Sequence, residues 1–259
     1  MRKGLFSIGT VVLIYLMCPG IISASMPLDI TVEPGQILIG ASYNGADISV
    51  SGQIPTDTEA VIRITGHEED SRLKKKGQAL GILWMNLGSV EFHNIPSVFI
   101  LYTSKQADDP ASPGQEKLYR EIGIESVRRQ VNIVSGYRDK DSLFEEFIKL
   151  KQKSGLYGTV ENSIHYEKAN SSVKTFSASV RLPSALPQGD YRLEVFAIGR
   201  DSIVGYSEKE LKAKQTGMPA FIATLAFDHG TVYGILSVVV AIIAGLLTGI
   251  MFKGEKGAH

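Results

Sequence analysis

Residues 231–252 carry no charged side chain. At ~1.5 Å per residue, a helix of that length covers roughly 33 Å, enough to cross a hydrocarbon core of about 30 Å. Asp228 and His229 precede the stretch, and Lys253 and Lys256 follow it. Basic residues stay on the cytoplasmic side of a span. This reading places the 253–259 tail in the cytoplasm and the bulk of the chain outside. At the other end, Arg2 and Lys3 start an uncharged run that closes on Ser23-Ala24-Ser25. A basic start, an apolar middle and small exit residues describe a secretory signal peptide over 1–25. The single Cys18 falls inside it, and Tyr15-Leu16-Met17 ahead of it lack the small residue of a lipoprotein signal. A chain cut after Ser25 holds no cysteine, so its fold cannot depend on disulfides. The expected localisation is the bacterial inner membrane, single-pass, with the bulk in the periplasm.

Between these ends the pattern has period two. Ile30 and Val32 alternate with polar neighbours, as do Ile48, Val50 and Ile54. Ala60-Val61-Ile62-Arg63-Ile64-Thr65 is short and β-branched. Pro34-Gly35 and Pro55-Thr56-Asp57 punctuate the runs. Such spacing predicts a β-sandwich, with further strands at 79–85, 89–93, 97–102, 158–167, 173–182, 191–198 and 203–211. Residues 108–154 lack this alternation. Leu143, Phe144, Phe147, Ile148 and Lys151 recur at helical spacing, with Asp141 as the expected N-cap and Gly155 as the stop. One or two helices are expected within 116–134. In Leu186-Pro187-Gln188-Gly189-Asp190-Tyr191, a tyrosine follows a turn glycine at a strand start, the pattern of a tyrosine corner. The expected fold is therefore mainly β: an immunoglobulin-like β-sandwich module or modules with a helical insert, plus one C-terminal transmembrane helix. The expected division is signal peptide 1–25, β-sandwich region 26–107, helical insert 108–154, second β region 155–216, juxtamembrane amphipathic segment 217–230, transmembrane helix 231–252 and tail 253–259. Whether the two β regions form one sandwich or two is left open.

The order and spacing of several short motifs carry a resemblance. They are Gly81-Ile82-Leu83-Trp84-Met85-Asn86, Ser89-Val90-Glu91-Phe92, Asn94-Ile95-Pro96-Ser97-Val98-Phe99, Gly155-Leu156-Tyr157, the stretch from Leu182-Pro183 to Tyr191-Arg192-Leu193-Glu194-Val195, and Phe227-Asp228-His229. With them the chain resembles a family of putative transmembrane proteins first described from alphaproteobacteria. The resemblance implies an exported N-terminal region, a C-terminal helix and no assigned reaction. It also implies a gene neighbourhood with sulfite-exporter-like permeases of the TauE/SafE type.

Few residues suggest chemistry. The 27 basic and 27 acidic side chains balance to zero net charge, which argues against nucleic-acid binding. One cysteine excludes a Cys-cluster metal site. His67-Glu68-Glu69-Asp70 gathers metal-ligand types, but Arg72 and Lys74-Lys75-Lys76 follow at once. A solvated hairpin loop with neutralising halves is the favoured reading. Trp84, the only tryptophan, together with Asn86, Phe92 and Phe99, is a candidate ligand groove, against the more frequent fate of core filling. Asp228 and His229 form a polar pair at the membrane boundary. Within the span, Ser237, Ala241, Gly245 and Gly249 recur every four residues and place small side chains on one stripe, where another helix can approach closely. The chain has no serine elbow, no H-E-x-x-H and no phosphate-binding glycine loop. The expectation is a non-enzymatic accessory or scaffold protein without a cofactor. Its partners are the membrane and either a polytopic membrane protein, such as a transporter, or a second copy of the chain. A ligand-binding or sensory ectodomain is the alternative.

Overall fold

The computed structural model describes residues 26–79, 83–104, 113–168 and 172–252. The expected signal peptide and the 253–259 tail lie outside the described residues. The strands are β1 (Met26–Pro27), β2 (Ile30–Glu33), β3 (Gln36–Ile39), β4 (Ala46–Pro55), β5 (Glu59–Gly66), β6 (Glu68–Ala79), β7 (Leu83–Pro96) and β8 (Phe99–Thr103). The helices α1 (Pro113–Ile122) and α2 (Ile124–Gln130), strand β9 (Asn132–Ser135) and helix α3 (Lys140–Lys153) follow. Then come β10 (Tyr157–Val160), β11 (Ile164–Lys168), β12 (Val173–Leu182), β13 (Gly189–Ile198) and β14 (Ile203–Gln215), and finally α4 (Met218–Phe227) and α5 (Gly230–Phe252).

Two sheets face each other. The larger runs β1-β14-β13-β5-β8-β10, with β3 also on β14; the smaller runs β11-β12-β4-β2. Pro34-Gly35 hands the chain from one to the other, since β2 pairs with β4 and β3 with β14. Ile48, Val50 and Ile54 of β4 meet Ile62, Ile64, Leu193 and Val195 of the larger sheet in one buried core. Two phenols cross the gap. Tyr102 donates to the Arg181 carbonyl at 2.6 Å, and Tyr166 accepts from the Ala60 N–H at 2.8 Å. Burial pushes the Tyr102 phenol up to about 12.

The question of one sandwich or two is answered by pairing. β4 lies along the whole of β12, and β5 lies between β13 and β8. Strands from both sides of the insert therefore share one core. The expected strand over 158–167 is two strands, β10 in the larger sheet and β11 in the smaller. The tyrosine corner forms as expected. The Tyr191 hydroxyl donates to the Pro187 carbonyl at 2.6 Å. Removing that hydroxyl in Tyr191→Phe is expected to cost about 1 kcal/mol and to lower the melting temperature by about 2–4 °C in a chain of this size. A melting curve superimposable on that of the parent protein would refute the structural role of the hydroxyl.

The insert serves two faces. α1 covers the outer side of the larger sheet, where Val61, Leu101, Phe196 and Ile198 pack against Leu118 and Ile122. Helices α2 and α3 cover a third sheet, β6-β7-β9, through Val90, Phe92, Ile133, Phe144 and Phe147. The N-cap of α3 is Asp139 and not Asp141, because the Asp139 carboxylate accepts from the Ser142 N–H at 3.0 Å. Asp141 instead pairs with Arg128 at 3.0 Å. Gly155 ends the turn with φ +72°, as expected of a glycine stop. The reading of 67–76 as a loop is overturned. His67 links β5 to β6, and the rest form β6, paired with β7 from Glu68↔Pro96 to Ala79↔Leu83.

Candidate functional site

β14 leaves the sandwich at Gln215 and α4 begins at Met218. The same end of the sandwich holds the start of β13 and the end of β5, since Gly189 faces Ala213 and Tyr191 faces Gly66. His67 turns the chain from β5 into β6 here. Its Nδ1 lies 3.4 Å from Ser97 Oγ, and its ring meets Tyr191 edge-on at 6.5 Å. Gly189 has φ +148°, and a Cβ there would stand 2.6 Å from His67 Nδ1. Only glycine lets the corner and the histidine share this space. The Tyr43 hydroxyl, on the loop before β4, is buried with no hydrogen-bond partner among the described residues; burial pushes its pKa up, against the opposing Arg181 charge. Between this end and α4 lies a groove of about 530 Å³. Asp190, Lys212, Lys214 and Thr224 line it together with Ala220 and Ala223.

α4 differs from the amphipathic segment expected over 217–230. It reads Met-Pro-Ala-Phe-Ile-Ala-Thr-Leu-Ala-Phe, and Thr224 is its one polar side chain. Apolar residues therefore surround the helix, with Phe221, Ile222 and Phe227 exposed. Asp228 is its C-cap, its N–H bonded to the Thr224 carbonyl, and the His229 carbonyl accepts from the Tyr233 N–H. Both members of the boundary pair are exposed. α5 then runs 23 residues; an 18-residue stretch of it has a mean hydropathy of 2.7, and none of that stretch is buried against the described residues. On it Ser237 satisfies its hydroxyl internally, donating to the Tyr233 carbonyl at 2.8 Å. Ala241, Gly245 and Gly249 are exposed, and nothing lies within 4 Å of a Cβ built at either glycine.

The other candidates are dispersed. Glu69 pairs with Lys151 at 2.7 Å, and Asp70 pairs with His93 at 2.8 Å. The Asp70 carboxyl is held below its ordinary range, first by the His93 hydrogen bond and then by the Asn94 N–H. Glu69 and Asp70 thus find their partners on α3 and across the ladder, not in the lysine run. The groove expected from Trp84, Asn86, Phe92 and Phe99 does not form from the three whose side chains are described. Phe92 and Phe99 are buried in the core beneath α3, while Asn86 is exposed six positions nearer the hairpin tip. The Trp84 side chain lies outside the description; its backbone pairs with Gln78.

Sequence reasoning missed one constellation. Arg63 and Glu194 face each other across β5 and β13 and form a two-pronged ion pair at 2.7 and 2.8 Å. The guanidinium also donates to the Ile122 carbonyl at the end of α1 (3.1 Å) and lies over the Phe196 ring at 5.0 Å. The Tyr206 hydroxyl stands 3.1 Å from Glu194 Oε1 and 2.7 Å from Glu208 Oε2. Burial and these carboxylates push its pKa up. Phe196, Tyr206, Lys117 and Asp201 line a cleft of about 480 Å³ beside α1. The available signal was Arg63 as the one charge within residues 60–65 and Glu194 as the one charge within residues 193–198.

The model of the putative transmembrane protein family Alph_Pro_TM matches residues 27–254. The chain belongs to this family. The match takes in the sandwich, the insert, α4 and α5 of this Alph_Pro_TM member as one unit. No curated protein matches it. One solved chain comes from a study of T cell specificity and activation by the bacterial superantigen toxic shock syndrome toxin-1. It is 9% identical, covers 73% of this chain and 99% of its own, and has a TM-score of 0.24. Domain 1 of VCBP3 from Branchiostoma floridae is 13% identical, covers 74% of this chain and 96% of its own, and has a TM-score of 0.26.

Proposed function

We propose that this protein is a non-enzymatic, membrane-anchored scaffold that presents its sandwich outside the cytoplasm beside a polytopic membrane partner, a transporter being the expected kind. The observation that carries the reading is α5: apolar all round, and, among the described residues, uncovered and open along Ala241, Gly245 and Gly249. A helix whose only task is to anchor needs no such stripe. Close backbone approach gains dispersion contact that lipid tails supply less well. Lys253 and Lys256 favour a cytoplasmic tail, with Asp228 and His229 at the outer boundary.

Extraction in mild detergent is expected to recover a stoichiometric polytopic protein with the full chain. Gly245→Leu combined with Gly249→Leu is expected to weaken that capture by about tenfold, taking helix contacts at roughly 1–2 kcal/mol. Recovery of the chain alone, or capture indifferent to both leucines, would remove the support. The alternative, a ligand-binding or sensory ectodomain, is favoured by the two clefts, each lined by charges of both signs.

A further inference from the structure

α4 sorts its apolar side chains by size. Met218, Phe221, Ile222 and Leu225 stand at i, i+3, i+4 and i+7, the spacing of one helix face. The side toward the sandwich is small. Ala220, Ala223 and Thr224 line the groove there, and none of the four large residues does. Among the described residues, Met218, Phe221 and Ile222 are left exposed.

The path of the chain decides what this face can meet. The 23 residues of α5 at ~1.5 Å each cover roughly 35 Å, little more than a hydrocarbon core of about 30 Å. Gly230, its first residue, therefore stands near the surface of that core. Phe227 ends α4 three residues earlier, a distance of about 10 Å at most. The headgroup layer on each side is roughly 5–8 Å deep, so the near end of α4 stays at the bilayer surface. An upright α4 would lift Phe221 and Met218 roughly 9–14 Å further out, into water. A flat α4 brings the whole large face to the acyl chains. The joint permits the bend, because helical bonding lapses between the Asp228 N–H on the Thr224 carbonyl and the Tyr233 N–H on the His229 carbonyl.

A helix at a membrane surface usually carries its own polar side. Here the end of the sandwich supplies it. The outward row of β14 reads Glu208, Glu210, Lys212, Lys214, so its basic half is the half nearest α4. Asp190 faces Lys212 across the ladder. Among the described residues, neither lysine nor Asp190 has an ion-pair partner. Two lysines on one wall of a groove whose other wall is an apolar helix suit phosphates at headgroup level. An acidic protein surface would match the lysines but not the four large apolar side chains.

We propose that α4 lies flat in the surface of the bilayer that α5 spans, with Met218, Phe221, Ile222 and Leu225 among the acyl chains and Lys212 and Lys214 against lipid phosphates. This placement requires α5 in the bilayer but not the scaffold role, so capture of a partner and the depth of α4 succeed or fail separately.

Cys18→Ser leaves the full chain without a cysteine. In that background Met218→Cys, Phe221→Cys, Ile222→Cys and Leu225→Cys each carry one nitroxide on the large face, and Ala220→Cys and Ala223→Cys each carry one on the groove side. The chain is placed in vesicles of phosphatidylcholine and phosphatidylglycerol with both leaflets alike, so its orientation does not matter. Collisions with oxygen, which concentrates among acyl chains, are compared with collisions with a water-soluble nickel chelate. The oxygen-to-nickel ratio is expected to be several-fold higher at all four large-face positions than at the two groove positions. A ratio that falls steadily from Leu225 to Met218 whatever the face overturns the proposal, because the helix then stands upright. Nickel favoured at every position overturns it by placing α4 in water, and oxygen favoured equally at all six overturns it by placing α4 inside the core. Labels reached by neither reagent overturn it in favour of cover by protein, a second copy included. With the Phe221→Cys label, Lys212→Gln combined with Lys214→Gln is expected to lower the docked-to-undocked ratio about 30-fold, while circular dichroism checks that the sheets remain. An unchanged ratio overturns the phosphate contact.

Discussion

Glu194→Ala is expected to lower the stability of the sandwich by about 3–5 kcal/mol, which corresponds to a fall in melting temperature of the order of 10 °C. The Glu194 side chain is 5% exposed and that of Arg63 18%. Removing the carboxylate leaves a guanidinium under α1 with one carbonyl and one aromatic face for company. The cost is that of an uncompensated buried charge, and it exceeds the net worth of the pair. It follows that Arg63→Met combined with Glu194→Leu should recover most of the loss, since apolar side chains of similar volume remove both charges together. Thermal unfolding of the full chain in detergent, followed by the β signal in circular dichroism, measures both variants. A single variant within about 1 kcal/mol of the parent would be incompatible with a desolvated pair.

Phe147→Ala is expected to cost about 3–5 kcal/mol, with the damage confined to the third sheet. Phe147 is 2% exposed, stacks on Phe92 at 4.5 Å and meets Tyr157 edge-on. Around it the hairpin is fastened to the sandwich by the Tyr157 hydroxyl on the Pro96 carbonyl at 2.6 Å and by the Lys151–Glu69 pair. This core is separate from the one between the two sandwich sheets. Hydrogen exchange should therefore show amides of β7 from Val90 to Ile95 losing protection while β4 and β12 keep theirs. Loss spread evenly over both cores would contradict this separation.

Strands with one buried face were legible before any coordinates. β4 and β12 alternate because one side of each meets the core and the other meets water. β5, β8 and β13 read as near-continuous apolar runs because α1 covers their second face, and nothing in their own sequence announces that cover. That is why Arg63 and Glu194 went unpaired in the reading. β6 was hidden for the opposite reason. From Glu68 to Lys76 it is mostly charged, so it lacks the apolar alternation by which a strand is recognised, and its conformation is set by β7. Of the groove candidates, Phe92 and Phe99 take the more frequent fate of such aromatics and fill the core. Phe92 and Phe99 meet through α3 and Tyr157, and Asn86 lies well along the β6–β7 hairpin. The span needed no tertiary information, since composition over 231–252 decides it.

The pairing of β4 with β12 and of β5 with β13 also dictates an order of events during synthesis. Ser49 bonds into a ladder opposite Ser179, and Ile62 opposite Val195. Neither sheet can close until more than half of the polypeptide has left the ribosome, and contacts between residues so distant along the chain form slowly. For that interval β4 and β5 present bare edges and apolar faces to any neighbouring chain. Helper proteins that shield nascent strands are therefore expected to govern the yield of this protein more than its final stability does.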